Sequence, residues 1–108
     1  MLKKQLSLYR TAGGKIPFVE WIESLDFSIR KRIEIGIDKL ELGYMPDCKH
    51  LEGGVFEMRL HFGPGYRIYF GQMGGEIVIL LCGGDKGGQK NDIKKAMEYW
   101  RDFNLRLK

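Results

Sequence analysis

The chain has 108 residues, 44% of them hydrophobic and 30% charged, which excludes a disordered protein and predicts one domain over residues 1–108. No apolar run reaches the ~20 residues of a membrane-spanning helix, so we expect no membrane partner. The net charge of +4 favours an anionic partner, either nucleic acid or an acidic protein.

The N-terminal segment and the cysteines bear on the cellular compartment. Residues 1–10 lack the apolar region and the small-residue cleavage site of a signal peptide, so we expect a cytoplasmic protein. Cys48 and Cys82 have neither the spacing nor the histidine partners of a zinc site. In a reducing compartment both should be free thiols. We therefore expect no metal and no cofactor.

The first part of the chain predicts one strand and two helices. Residues 3–10 are predicted as a strand that ends at the breaker Thr11–Gly14. Apolar residues at helical spacing predict a short helix over 17–25. A second helix is predicted between the N-cap Asp26 and Gly43. Because the link between these two helices is short, they are predicted to form an antiparallel helical hairpin.

The second part of the chain predicts a loop, three strands and a helix. Residues 42–54 are predicted as a loop, and a period-two pattern begins at Val55. The region that follows is divided into three strands by two glycine-rich turns, which are Gly63–Gly65 and Gln72–Gly75. Residues 83–89 are predicted as a flexible loop, and the last helix begins near Asn91 or earlier.

The resulting order is β-α-α-β-β-β-α, which predicts an α+β fold. We expect an antiparallel sheet with the helical hairpin on one face, together with a C-terminal helix. The first strand should join this sheet to cover its edge. Side chains alternate along a strand, so the face under the hairpin should carry the apolar set Phe56, Met58, Leu60, Tyr66, Ile68 and Phe70.

The opposite face of the sheet is expected to carry the chemistry. Arg59 and His61 share this face on one strand, and Arg67 and Tyr69 share it on the next. Because the Gly63–Gly65 turn makes these strands neighbours, the four side chains should converge on an open cationic surface.

Further basic residues are close enough in sequence to reach this surface. Lys86 follows the third strand in the glycine-rich loop, and Lys49 and His50 precede the second strand. Guanidinium groups bind phosphate oxygens and aromatic rings stack on bases, so the surface predicts an RNA ligand. Lys49 is a candidate RNA-binding residue.

Such a surface could cleave RNA without a metal ion, because RNA carries its own nucleophile, the 2′-hydroxyl. Cleavage then needs a base, an acid for the leaving 5′-oxygen, and positive charge at the phosphorane. Each well-placed Arg or Lys donor contributes about 3 kcal/mol, by analogy with oxyanion-hole donors. A histidine or tyrosine acting as acid or base contributes roughly 10²–10⁴-fold.

Several sequence segments, each weak alone, together form a specific signature of one protein family. They are Gly53–Arg59, Gly63–Tyr69, Leu80–Gln89, and Asp92-Ile93 with Ala96. With these segments the chain resembles the phage-derived killer branch of the RelE/HigB superfamily, whose members are toxins of bacterial type II toxin–antitoxin modules. The resemblance covers essentially the whole chain, including the helical hairpin. It implies a toxin that cleaves mRNA, usually in the ribosomal A site, and that a cognate antitoxin neutralises.

The resemblance also implies roles for particular residues. Arg59, Arg67 and Lys86 match the basic signature residues of the family and are expected to be catalytic. Gln89 matches the polar residue that opens the last helix and is expected to bind RNA. The basic run Arg30–Arg32 is interpreted as a solvated helix face that could add salt-dependent affinity for the ribosome.

The acid and the base are not assigned by this resemblance. Several related toxins use a tyrosine or histidine near the C-terminus, but residues 103–108 contain neither. His50, His61 and Tyr69 are therefore the candidates.

Two other functions remain open. The ParE branch of the same superfamily shares the architecture but inhibits DNA gyrase by binding, and the chain could also be an inactive prophage remnant. For an active toxin we expect an antitoxin that covers the basic face or pairs along a sheet edge, using acidic residues.

Overall fold

The computed structural model describes residues 3–44 and 47–107 of the chain. These form five strands, three α-helices and one 3₁₀ turn. In chain order they are β1 (Gln5–Leu8), α1 (Pro17–Glu23), α2 (Phe27–Glu41), β2 (Cys48–Glu52), β3 (Val55–Leu60), β4 (Tyr66–Met73), β5 (Ile77–Asp85), the 3₁₀ turn Lys86–Gly88, and α3 (Gln89–Arg106). None of the helices in the described ranges is long and apolar enough to cross a membrane.

The strands form a single sheet in the order β1-β5-β4-β3-β2. Strands β2 to β5 are an antiparallel meander, whereas β1 pairs with β5 in parallel, from Gln5 opposite Ile77 to Leu8 opposite Leu80. The predicted α+β fold is confirmed, including the first strand that joins the sheet. This strand has only four residues, fewer than the predicted 3–10.

Strand β2 corrects the prediction of a loop over residues 42–54. Cys48–Glu52 pairs along β3, with Lys49 opposite Glu57 and His50 opposite Phe56. The strand forms the edge of the sheet, and most of its side chains are exposed. An edge strand therefore lacks the alternating apolar pattern by which inner strands are recognised. Two further residues of that predicted loop, 45 and 46, lie outside the described residues.

The prediction of a flexible loop over residues 83–89 is also wrong. Strand β5 continues to Asp85, the 3₁₀ turn follows at once, and α3 begins at Gln89. Gly84 allows this arrangement, because a Cβ at this position would lie 1.9 Å from Oδ2 of Asp92. Glycine occurs here because α3 approaches the strand closely, so it does not mark a break in the strand.

One face of the sheet packs against α1 and α2, as predicted. The cluster buries Ile33 and Leu40 of α2 against Met58, Ile68 and Phe70 of the sheet, with Tyr66 also buried. Phe56 and Leu60 are partly buried at its margin. The helical hairpin thus covers the apolar set that the alternation indicated.

The other face packs against α3. Trp100 lies over β4, and its Nε1 donates a hydrogen bond to the Gly53 carbonyl at 2.8 Å. Tyr69, Leu81 and Ala96 are buried in the cluster that Trp100 covers. This face is therefore not the open surface expected from the sequence. Part of this face stays accessible at the end that carries Arg59 and Arg67.

Candidate functional site

A buried carboxylate lies at the centre of the site. The Glu57 side chain on β3 is only 1% exposed. Its Oε1 accepts a hydrogen bond from Nε of Arg59 at 3.2 Å, and its Oε2 lies 3.7 Å from Nε of Arg67. Arg59 and Arg67 are directly opposed on β3 and β4. One carboxylate therefore holds two arginines that point to the same side of the sheet.

Helix α3 contributes to the same cluster through its first residue. Nε2 of Gln89 donates a hydrogen bond to Oε2 of Glu57 at 2.8 Å. RNA binding by Gln89 stays a prediction, and in this structure its amide holds the carboxylate that positions the arginines. The contact also links the beginning of α3 to the centre of the sheet.

Arg67 is fixed by the turn that precedes its strand. Its side chain is 11% exposed, and Nη1 donates a hydrogen bond to the Gly65 carbonyl at 2.7 Å. Gly65 has φ +80°, in the region that favours glycine. A Cβ at Gly65 would lie 3.1 Å from Nη1 of Arg67 and 3.6 Å from Cβ of Lys86. The turn, Arg67 and Lys86 are therefore direct neighbours.

Lys86 is held through its backbone. It opens the 3₁₀ turn, in which the Asp85 carboxylate accepts hydrogen bonds from the amides of Gly87 and Gly88 at 2.9 and 3.3 Å. Its side chain is exposed, and no ion pair within the described residues involves its ammonium group. The ammonium group is available to an external anion.

These groups surround a cavity of about 510 Å³, which we call the cationic pocket. It is lined by the Gly63–Gly65 turn and by the side chains of Arg59, His61, Arg67 and Lys86. The described residues that line the pocket include three cationic side chains and no carboxylate, so the lining itself is positively charged. The structure thus places the three residues expected to be catalytic around one cavity.

His61 also lines the cationic pocket. It follows β3, its side chain is 73% exposed, and Nε2 contacts a carboxylate oxygen of Asp47. A carboxylate bonded to one imidazole nitrogen orients the ring and leaves the other nitrogen, Nδ1, for proton transfer.

Tyr69 does not line the pocket. It lies opposite Glu57 on β3 and Cys82 on β5, fully buried under α3. Burial, and then the nearby Glu57 carboxylate, raise the pKa of its hydroxyl. The expectation that Tyr69 faces an open surface is wrong, because α3 covers this part of the face.

His50 and Lys49 lie outside the cationic pocket. His50 belongs to the face under the hairpin, where its ring centroid is 5.0 Å from that of Phe56. Its Nε2 accepts a weak hydrogen bond from the Gly54 amide at 3.4 Å. Lys49 shares the face of Glu57 but is exposed on the edge strand. The extra strand β2 explains both positions, because alternation along it directs neighbouring side chains to opposite faces.

Comparison with known proteins identifies the family. A model of the family described as "Phage derived protein Gp49-like" matches residues 20–100. The chain belongs to this family. It is also 40% identical, over 91 residues, to an uncharacterized protein of Haemophilus influenzae, a match that covers 83% of this chain and 92% of that protein. The phage-derived, toxin-like character of the resemblance is confirmed, and the finer RelE/HigB assignment stays a prediction.

Glu57 is the residue of this Gp49-like protein that sequence reasoning missed. Alternation along β3 already placed Glu57 and Arg59 on one face. A carboxylate two residues from an arginine on a strand inside a meander, with Arg67 on the neighbouring strand, indicates a buried ion pair. The missing information was that α3 would cover Glu57 and exclude water from it.

The chemistry that the Gp49-like site can perform follows from its donors. Arginine and lysine around one cavity can bind a phosphate and stabilise additional negative charge on it. Within residues 3–44 and 47–107, no group of three or more His, Cys, Asp or Glu side chains is arranged to hold a metal ion.

Proposed function

We propose that this Gp49-like protein is the toxin of a type II toxin–antitoxin module and acts as a metal-independent endoribonuclease on mRNA, in association with the ribosome. The observation that carries the proposal is the pair Arg59–Arg67, oriented by the buried Glu57 carboxylate and facing one cavity with Lys86. A pre-organised cluster of this kind suits a phosphodiester whose negative charge increases during the reaction.

The proposed reaction is an intramolecular transesterification. The 2′-oxygen of the substrate ribose attacks the adjacent phosphorus, and the bond from phosphorus to the 5′-oxygen breaks. The proton of the 2′-hydroxyl passes to the base, and an acid gives a proton to the leaving 5′-oxygen. The products are a 2′,3′-cyclic phosphate and a free 5′-hydroxyl. One P–O bond forms as another breaks, so the reaction needs no oxidant or reductant.

In this proposal Arg59, Arg67 and Lys86 bind the scissile phosphate and stabilise the phosphorane. His61 is the best-placed acid or base, since its imidazole lines the cationic pocket and Asp47 holds its ring. Gln89 acts through Glu57, as a positioning residue.

The experiment compares mRNA ends after incubation with purified protein in a translating cell-free extract. Primer extension should reveal new 5′ ends with wild-type protein. Arg67→Ala and Lys86→Ala should each reduce the cleavage rate about 100-fold, as expected for loss of one charge-stabilising donor. Lys94→Ala is the matched control, because Lys94 is exposed on α3, away from the cationic pocket.

The alternative, gyrase inhibition, predicts a different result. In that case, induced expression stops growth while mRNA stays intact, and Arg67→Ala and Lys86→Ala keep full toxicity. Intact mRNA together with normal growth would instead indicate an inactive remnant. Either result contradicts the nuclease proposal.

We also propose a cognate antitoxin as the protein partner. The excess positive charge of the cationic pocket favours an acidic segment that covers it, and such complementarity accelerates association. Strand β2 offers a second surface, since it is one of the two edge strands of the sheet and is mostly exposed.

A further inference from the structure

A second cavity adjoins the cationic pocket. It has a volume of about 280 Å³ and lies between α2 and the end of β3, and we call it the α2 groove. The two cavities share a wall made of Arg59, Leu60, His61 and Phe62. The remaining wall of the groove is largely apolar and includes Ile35 and Gly36 of α2 and Met58 of β3.

The Arg32 guanidinium lies over the Phe62 ring in this groove. The guanidinium carbon of Arg32 lies 3.9 Å from the centroid of the Phe62 ring. The Tyr66 ring also packs against Phe62, and the centroids of the two rings are 5.2 Å apart. Arg32 is exposed and forms no ion pair with any described residue. Its planar group is thus supported by the aromatic ring on one side and open on the other.

We propose that the Arg32 guanidinium, supported by Phe62, is a stacking platform for a nucleobase next to the phosphate bound in the cationic pocket. This subsite rests on the proposed function, since it requires RNA in that pocket. Bases of single-stranded RNA stack on aromatic rings and on arginine planes, and such stacking tolerates every base. The subsite therefore adds affinity for unpaired RNA rather than strict sequence preference.

The surroundings favour a base attached to a phosphate over a purely apolar ligand. Lys39 and Arg59 lie at the margin of the groove, so an anionic backbone can remain close to positive charge while the base contacts the apolar wall. The shared wall means that a single strand can occupy both cavities without crossing the fold. The basic run Arg30–Arg32 thus contains one residue with a specific role and two that contribute charge.

The test measures the binding of a fluorescent, single-stranded 2′-O-methyl RNA, which cannot be cleaved, and of the same backbone without bases. Wild-type protein should bind the intact strand about tenfold more tightly than the abasic strand, as expected for one stacked base. Arg32→Lys keeps the charge but removes the planar surface. It should weaken binding of the intact strand about tenfold and leave binding of the abasic strand unchanged.

Arg30→Lys is the matched control, because it makes the same exchange on the same helix but outside the groove. Equal affinity of wild-type protein for intact and abasic strands, or an equal loss on both with Arg32→Lys, overturns the subsite alone. If Arg67→Ala also leaves binding of both strands unchanged, the proposed function fails as well. Weaker capture of a co-expressed antitoxin by Arg32→Lys, with unchanged RNA binding, assigns the groove to a protein and overturns the proposal.

Discussion

Arg59 and Arg67 are directly opposed on adjacent antiparallel strands, and both contact the same carboxylate of Glu57. Opposed like charges destabilise a sheet. The Glu57 carboxylate offsets this repulsion, and because it contacts the Nε atoms, the Nη atoms of Arg59 remain for an anion. One buried residue thus both stabilises the sheet and prepares the site.

Replacement of Glu57 by glutamine is expected to destabilise the protein strongly. Glu57→Gln removes the charge that compensates two arginines, one of them nearly buried. The free energy of unfolding should fall by about 3 kcal/mol, the lower end for breaking a buried ion pair, because Arg59 is partly solvated. Urea denaturation measures the change. Glu52→Gln, at an exposed position of β2, should alter it by less than about 0.5 kcal/mol, and similar effects of the two variants would contradict the role of Glu57.

The acid or base can be identified by comparing two variants. His61→Ala should slow mRNA cleavage by roughly 10²–10⁴-fold, because it removes the imidazole that lines the cationic pocket. Tyr69→Phe should leave cleavage unchanged, since its hydroxyl is buried outside the pocket. His50→Ala controls for loss of an imidazole elsewhere. A large loss in Tyr69→Phe alone would assign proton transfer to Tyr69.

The contact between Tyr9 and Asp102 should make stability depend on pH at both extremes. The Tyr9 hydroxyl donates a hydrogen bond to Oδ2 of Asp102 at 2.6 Å. This bond lowers the pKa of Asp102, so its contribution is present above the unfolded pKa and is lost as pH falls through the folded pKa. Burial and then Asp102 raise the pKa of Tyr9 to about 12, so its contribution is present below pH 10 and is lost toward pH 12.

Tyr9→Phe is therefore expected to flatten both the acid limb and the alkaline limb of the plot of unfolding free energy against pH. Urea denaturation from acid to alkaline pH measures this plot. Some alkaline dependence should remain, because burial also raises the pKa of Tyr69. Tyr44→Phe, at an exposed tyrosine, should leave both limbs as in the wild type. An unchanged acid limb in Tyr9→Phe would show that the bond to Asp102 does not stabilise the fold.

The contact between Gly71 and Trp100 predicts a destabilising substitution. A Cβ at Gly71 would lie 2.1 Å from the Trp100 ring, so Gly71→Ala must displace α3 or the strand. Thermal unfolding should show a loss of about 3 kcal/mol, the upper part of the range for overpacking. Gly13→Ala, where the nearest atom would be 3.9 Å away, should have little effect. Equal melting temperatures for the two variants would contradict this packing.

The sequence predicted the elements whose patterns are set by a buried face. Alternation along β3 and β4 and the helical spacing in α2 were sufficient, because each element buries one continuous apolar face. Strand β2 was missed because it lies at the edge, where pairing with β3 rather than burial keeps it extended. The backbone hydrogen bonds that pair β2 with β3 do not depend on side-chain type, so the pattern of residues does not reveal them.

The site was predicted in part for a similar reason. Strand alternation and the short turn were enough to place Arg59 and Arg67 together. Burial of Tyr69 and Glu57 depends on where α3 packs. The spacing of apolar residues in a helix predicts which face of the helix is buried, but not which part of a sheet that face covers. Glycines 83 and 84 suggested a loop, although they are present because Trp21 and Asp92 approach the strand closely.

The parallel pairing of β1 with β5 has a consequence for biosynthesis. Gln5–Leu8 is synthesised well before its partner Ile77–Leu80, because the two paired strands are separated by the intervening helices and strands. At roughly 5–20 residues per second, the first strand waits several seconds without a neighbour. The cationic pocket depends on the same late segment, because Lys86 directly follows β5 and Gln89 opens α3, so it can assemble only after residue 89 has been synthesised.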